Sequence, residues 1–133
     1  MQWKIGDKAS IKRLATKEDI NMIAKISGDY NPIHFNEKAA IQSGFEGIVM
    51  HGLFCLGMIS QLIGMELPGE GAILMDEELR YTAPVYVGDT IEATVEIVEI
   101  NHYNGKMKIA FSCKNQHGKY VMKGSTMVKV VCQ

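Results

Sequence analysis

The sequence predicts an α+β fold in which a curved antiparallel sheet wraps one buried helix, and three observations predict it. Residues 53–63 are apolar on almost every face, which suits a helix enclosed by the chain and not one lying on a surface. Four strand candidates then follow in succession, at 71–82, 90–100, 106–115 and 119–131. With 133 residues, 47% of them hydrophobic and 22% charged, the chain is read as one domain, residues 1–133, with a sizeable core.

Each element has a local reason. Residues 8–14 place Ala9 and Ile11 in alternation and predict a short first strand. Thr16 is a helix N-cap, Asp19 stands where the acidic partner of a capping box belongs, and Ile20, Ile23, Ala24 and Ser27 follow at helical spacing. Gly28 ends that helix. A second short helix over 37–43 is announced by Asn36 as N-cap, by Glu37 at the favourable end of the dipole, and by Gly44 just beyond. In the second half Ile91, Ala93, Val95 and Ile97 alternate with Thr90, Glu92, Thr94 and Glu96, and Met107, Ile109, Phe111 and Cys113 alternate likewise. Such strands are half-buried. Asn104-Gly105 predicts a type I′ hairpin, and Gln116-His117-Gly118 a looser turn, so the last three strands form an antiparallel meander. One greasy helix beside a long curved sheet is the hot-dog fold. Because a lone five-stranded sheet covers only one face of the helix, a homodimer is the minimal expectation.

Composition excludes several functions. Fourteen Lys and Arg against fifteen Asp and Glu give a net charge of -1, so no general attraction to nucleic acid or anionic membrane is expected. Only Arg13 and Arg80 can supply bidentate phosphate forks. Residues 47–65 carry no charge, but Gly47, Gly52, Gly57 and Gly64 punctuate them and the helical part is too short to span a bilayer. Cys55, Cys113 and Cys132 are widely spaced, without metal-ligand spacing, and read as reduced thiols. The first residues lack the pattern of a secretory signal, so a cytoplasmic location is expected.

Chemistry concentrates in Gly28-Asp29-Tyr30-Asn31-Pro32-Ile33-His34. Pro32 stops the first helix from continuing and keeps Asn31 extended, while Asn31 pins the turn through its side chain. Asp29 and His34 can then converge and hold one water between an acid and a base. Taken alone, Asp29 is an ordinary turn carboxylate and His34 a hydrogen-bonded loop histidine; the complete spacing turns both toward catalysis. His51 is expected to order the backbone before the central helix, Cys55 to be a buried thiol, and most methionines to fill the core, with Met58 and Met65 available to line an adaptable tunnel.

The sequence resembles the MaoC-like dehydratase family, the (R)-specific enoyl-CoA hydratases. Gly28-Asp29-x-Asn31-Pro32-x-His34 matches its signature loop, Val49-Met50-His51-Gly52 its entry to the central helix, and Pro84-Val85-Tyr86-Val87-Gly88-Asp89 its later strand-linking turn. The chain departs from the family in Asn36-Glu37, where an acidic residue and a proline are common. The resemblance implies that Asp29 and His34 are catalytic, that Asn31 supports them, and that Ser60 on the central helix contacts substrate. It implies reversible addition of water to a trans-2-enoyl thioester of coenzyme A, with no cofactor or metal. Negative charge then develops on the thioester oxygen, and a backbone N–H at the start of the central helix, that of Gly52, suits it. A hot-dog acyl-CoA thioesterase and a non-catalytic acyl-CoA binding module are the alternatives.

Overall fold

The structure is a computed structural model that describes residues 2–131. In chain order it comprises β1 (Lys8–Leu14), α1 (Lys17–Ser27), a 3-10 turn (Pro32–His34), α2 (Glu37–Gln42), α3 (Leu53–Met65), β2 (Ala72–Leu74), β3 (Glu78–Tyr81), β4 (Thr90–Asn101), β5 (Lys106–Lys114) and β6 (Tyr120–Val130). The six strands form one antiparallel sheet in the order β1-β4-β5-β6-β2, with β3 also paired to β6. The sheet curls around α3, which is the expected hot-dog arrangement.

The capping signals act as their chemistry requires. Thr16 accepts the Asp19 amide and Asp19 accepts that of Thr16, closing a capping box. Burial alone would push the Asp19 carboxyl up. The Arg13 guanidinium, 2.6 Å away, and the Thr16 bonds outweigh it and hold the group below its ordinary value. Gly28 ends α1 at φ 76°, a left-handed conformation for which glycine carries no Cβ penalty.

The alternating residues of β4 and β5 are the floor of the core: Ile91, Ala93, Val95, Ile97, Met107, Ile109 and Cys113 are all fully enclosed. Against them lie Phe54, Cys55, Met58, Ile59, Leu62 and Ile63 of α3. The other side of α3 stays open, with Leu53 46% and Met65 77% exposed and Gly57, Ser60, Gln61 and Gly64 between them. The sheet of this chain thus covers one face of the helix and leaves the other open, as expected of a lone sheet.

Two expectations are corrected. The segment 71–82 is not one strand but two: β2 pairs with 128–130 of β6 and β3 with 122–125. Between them Asp76 intrudes into the ladder, its side chain accepting the Met127 amide and its carbonyl the Thr126 hydroxyl. The β4–β5 connection is not a type I′ turn, which needs positive φ at two successive residues. Only Gly105 is left-handed there, at φ 72°, and its N–H closes a wider turn onto the Asn101 carbonyl at 3.0 Å. The Asn101 and Asn104 side chains accept the amides of Tyr103 and Lys106, stabilising the longer loop. Cys132 lies outside the described residues; Cys55 and Cys113 are buried free thiols. Among the described residues no helix is long and apolar enough to cross a membrane.

Irregularities in the sheet shape its interior. The β5–β6 register shifts between Cys113 and Lys114, so two successive residues of β6, Val121 and Met122, are both buried. Gly124 faces Leu79 on one side and Phe111 on the other. A Cβ there would run into the Glu78 carbonyl and fall 2.8 Å from that of Leu79. Gly124→Ala is expected to destabilise the protein by about 1–3 kcal/mol by prying β3 from β6, measured by urea unfolding.

Candidate active site

The loop between α1 and α2 is built from side chains that accept amides one turn ahead. The Ser27 hydroxyl accepts the Asp29 amide, Asp29 Oδ1 accepts that of Asn31 at 3.0 Å, and Asn31 Oδ1 accepts that of Ile33 at 3.3 Å. Pro32 opens the 3-10 turn that presents His34 inward, while Tyr30 and Phe35 stack across the outside of the loop at 5.6 Å. Asn36 caps α2 by accepting the Ala39 amide. The motif thus spends one Asp29 oxygen on its own turn and leaves the other free.

That free oxygen, Oδ2, lies 3.7 Å from His34 Nε2, so the two residues singled out by sequence do converge. Asp29 is about half exposed, with 49% of its side chain accessible, whereas His34 is 7% exposed. The opposite ring nitrogen, His34 Nδ1, lies 2.7 Å from the Val49 carbonyl. A carbonyl only accepts, so Nδ1 carries a proton, and the tautomer that this bond favours turns the Nε2 lone pair toward Asp29. Val49 is itself fixed, its N–H donating to the Ile33 carbonyl while Met50 donates to that of Val85 and Val87 to that of Ile48. The Val85-Tyr86-Val87 turn is in turn held by Asp89, which accepts the Tyr86 amide and the Gln116 side chain. The second and third sequence motifs therefore frame the first.

His51 has a larger part than its sequence position suggests. It is 3% exposed, its ring stacks on that of His34 at 3.8 Å, and its Nε2–H donates to the Asp29 carbonyl at 2.9 Å. Its Nδ1 is buried without a partner. One residue thus touches both members of the pair. Asp29, His34 and His51 also bring ligand-type atoms within 4.8 Å of one another. An imidazole lone pair lies in its ring plane, so rings stacked 24° from parallel at 3.8 Å carry their remaining lone pairs in neighbouring planes that do not meet at one ion. The arrangement fits proton transfer better than metal ligation.

The two imidazoles, His34 and His51, open on a cavity of about 450 Å³, and Asp29 stands behind them outside its walls. His34, His51, Gly52, Cys55, Tyr81 and Val121 are among its walls, most of the others being apolar. Gly52 is the N-cap position of α3, carries no side-chain cap and lines the cavity, so the start of the helix lies at the cavity wall. Cys113 donates to the Cys55 carbonyl; the bond to Cys55 and burial push its thiol far up, which removes it as a nucleophile. Ser60 is not brought to the pair. It lies five residues beyond Cys55, about 140° around the helix, on the exposed side of α3. Tyr81 was not singled out by sequence, because what makes it a wall is its approach to Gly52 from a strand far along the chain.

The role of His51 is open to test without turnover. His51→Phe keeps the stacked ring but loses both the bond to the Asp29 carbonyl and the unpaired Nδ1. Global stability is expected to change by less than about 1 kcal/mol, while the amides of Asp29 and Asn31 exchange faster with solvent, as read by hydrogen exchange.

Comparison with known proteins agrees with this geometry. The family model described as MaoC like domain matches residues 4–119. A 3-hydroxybutyryl-CoA dehydratase of Methylorubrum extorquens is 34% identical over 127 residues, covering 96% of this chain and 80% of its own. An (R)-specific enoyl-CoA hydratase of Rhodospirillum rubrum is 35% identical over 127 residues, covering 96% of this chain and 88% of its own. Among solved structures, the (R)-hydratase from A. caviae involved in PHA biosynthesis superposes with a TM-score of 0.93 at 28% identity over 98% of both chains. The R-hydratase PhaJ1 from Pseudomonas aeruginosa gives 0.92 at 30% identity, over 99% of this chain and 84% of the other. On a family model that matches residues 4–119 and relatives 34% and 35% identical over 96% of the chain, this chain belongs to the MaoC-like domain family.

Proposed function

We propose that this protein is an (R)-specific enoyl-CoA hydratase, adding water reversibly across the 2,3 double bond of a trans-2-enoyl thioester of coenzyme A to give an (R)-3-hydroxyacyl thioester. The observation that carries the reading is the tautomer that the Val49 carbonyl imposes on His34. Across the 3.7 Å gap Asp29 and His34 then both accept. A water held there gives one hydrogen to each and turns an oxygen lone pair toward C3 of the substrate. As the C3–O bond forms, the pair takes the water proton and electrons move onto the thioester oxygen. The first-turn N–H of α3 at Gly52 stabilises that charge. Return of a proton from the pair to C2 completes the addition, so hydroxyl and hydrogen are both accounted for and the pair ends as it began. The relatives named for dehydration and for hydration support the same reaction taken in its two directions.

The exposed side of α3 supports a homodimer, since Leu53 and Met65 stand uncovered at its ends with the small residues Gly57, Ser60 and Gly64 between them, a face that a second copy would cover. In this reading Ser60 contacts substrate only where that side closes on a neighbouring copy. Free buried thiols at Cys55 and Cys113 suit the cytoplasm. Size-exclusion chromatography with light scattering is expected to give twice the chain mass of 14.8 kDa; a folded monomer at micromolar concentration would overturn the assembly.

Crotonyl-CoA tests the chemistry. Loss of the enoyl absorbance without release of free thiol is expected; thiol release alone would indicate a thioesterase, and binding without either a non-catalytic module. Asp29→Asn and His34→Ala should each keep the fold and lower hydration at least about a hundredfold, with the double variant scarcely worse than the poorer single one. An Asp29→Asn protein near the wild-type rate would remove Asp29 from the mechanism.

A further inference from the structure

The start of α3 has a close neighbour that the reaction scheme above leaves unused. Tyr81, the last residue of β3, lines the same cavity as His34, His51 and Gly52. Its ring lies on the Cα of Gly52 so closely that a Cβ at position 52 would fall 2.5 Å from Tyr81 Cζ and 2.6 Å from its hydroxyl oxygen. Position 52 is therefore glycine for a definite reason: a side chain there would displace the phenol. The hydroxyl, held by no other group of the described residues, is thus brought to the very start of the helix, at an N-cap glycine without a side-chain cap.

We propose that the Tyr81 hydroxyl is a second donor to the substrate's thioester oxygen, forming with the Gly52 N–H a two-part oxyanion site. The proposal rests on the hydration reading and names a catalytic residue for it. Chemistry favours the phenol in this place. The oxygen of a thioester is a weak acceptor in the ground state and a strong one once it carries enolate charge, so a neutral O–H aimed at it strengthens as the C3–O bond forms. A donor must also keep its proton. Burial, and after it the neighbouring Cys55 and Glu77, pushes the Tyr81 phenol above its ordinary value, so it remains protonated at neutral pH.

Tyr81→Phe tests this, because it keeps the ring against Gly52 and removes only the oxygen. With crotonyl-CoA the variant is expected to lose about ten- to a hundredfold in kcat while KM stays within about threefold, the pattern of an interaction made in the transition state. A kcat within about twofold of wild type, or a change confined to KM, would overturn the proposal. An independent readout uses 4-dimethylaminocinnamoyl-CoA, whose absorption moves to longer wavelength when its thioester carbonyl is polarised. Wild-type protein should shift the bound probe, and Tyr81→Phe should shift it less; equal shifts would likewise overturn the role. Failure of the wild type to hydrate crotonyl-CoA would overturn the hydration reading, and the probe would still decide whether Tyr81 polarises a bound thioester.

Discussion

The bond between His34 Nδ1 and the Val49 carbonyl is the constraint on which the rest of this structure depends. It fixes where the imidazole proton resides, and with it the direction of the lone pair that faces Asp29. A carbonyl can do this only if it cannot turn away. Residues 48–50 are held between the loop that carries Asp29 and His34 on one side and the Val85-Tyr86-Val87 turn on the other by three backbone bonds, so the Val49 carbonyl has no freedom to reorient. His51 follows two residues later and extends the same control, stacking on one member of the pair and bonding the backbone of the other. Loop, turn and helix entry are thereby one rigid assembly. This is what a site needs when its catalytic groups sit on an irregular loop.

The sheet contributes by where it departs from regularity. Perfect alternation along β6 would place Val121 or Met122 outward, and the register shift beside them turns both inward, putting Val121 in the cavity wall. The break at Asp76 divides the outer edge of the sheet into β2 and β3, and β3 is then free to end with Tyr81 across the start of α3. A single unbroken strand over 71–82 would have kept a common register along β6. The cavity therefore owes its shape to two local defects in an otherwise regular ladder.

Local chemistry was largely readable in the residues themselves. The capping box of Thr16 and Asp19, the glycine stop at Gly28, the Asn36 cap and the alternation of β4 and β5 all rest on interactions within a few residues, which a sequence displays directly. Asn104-Gly105 misled because the turn was settled elsewhere: the Asn101 side chain and carbonyl draw the loop wider than two residues, and only Gly105 needs a left-handed backbone. The strand over 71–82 misled because Asp76 finds its partner fifty-one residues away, at Met127.

What the sequence determined by itself is the fold class and the meeting of Asp29 with His34, since five residues with a proline between them leave the chain few ways to turn. Tertiary structure alone decided the tautomer of His34, the stacking of His51 upon it, the seat of Tyr81 on Gly52 and the outward turn of Ser60. Each of these depends on contacts between segments that lie far apart along the chain, or on which face of a helix the sheet happens to cover. Periodicity reveals that a helix has faces; only the packed sheet says which of them meets the site.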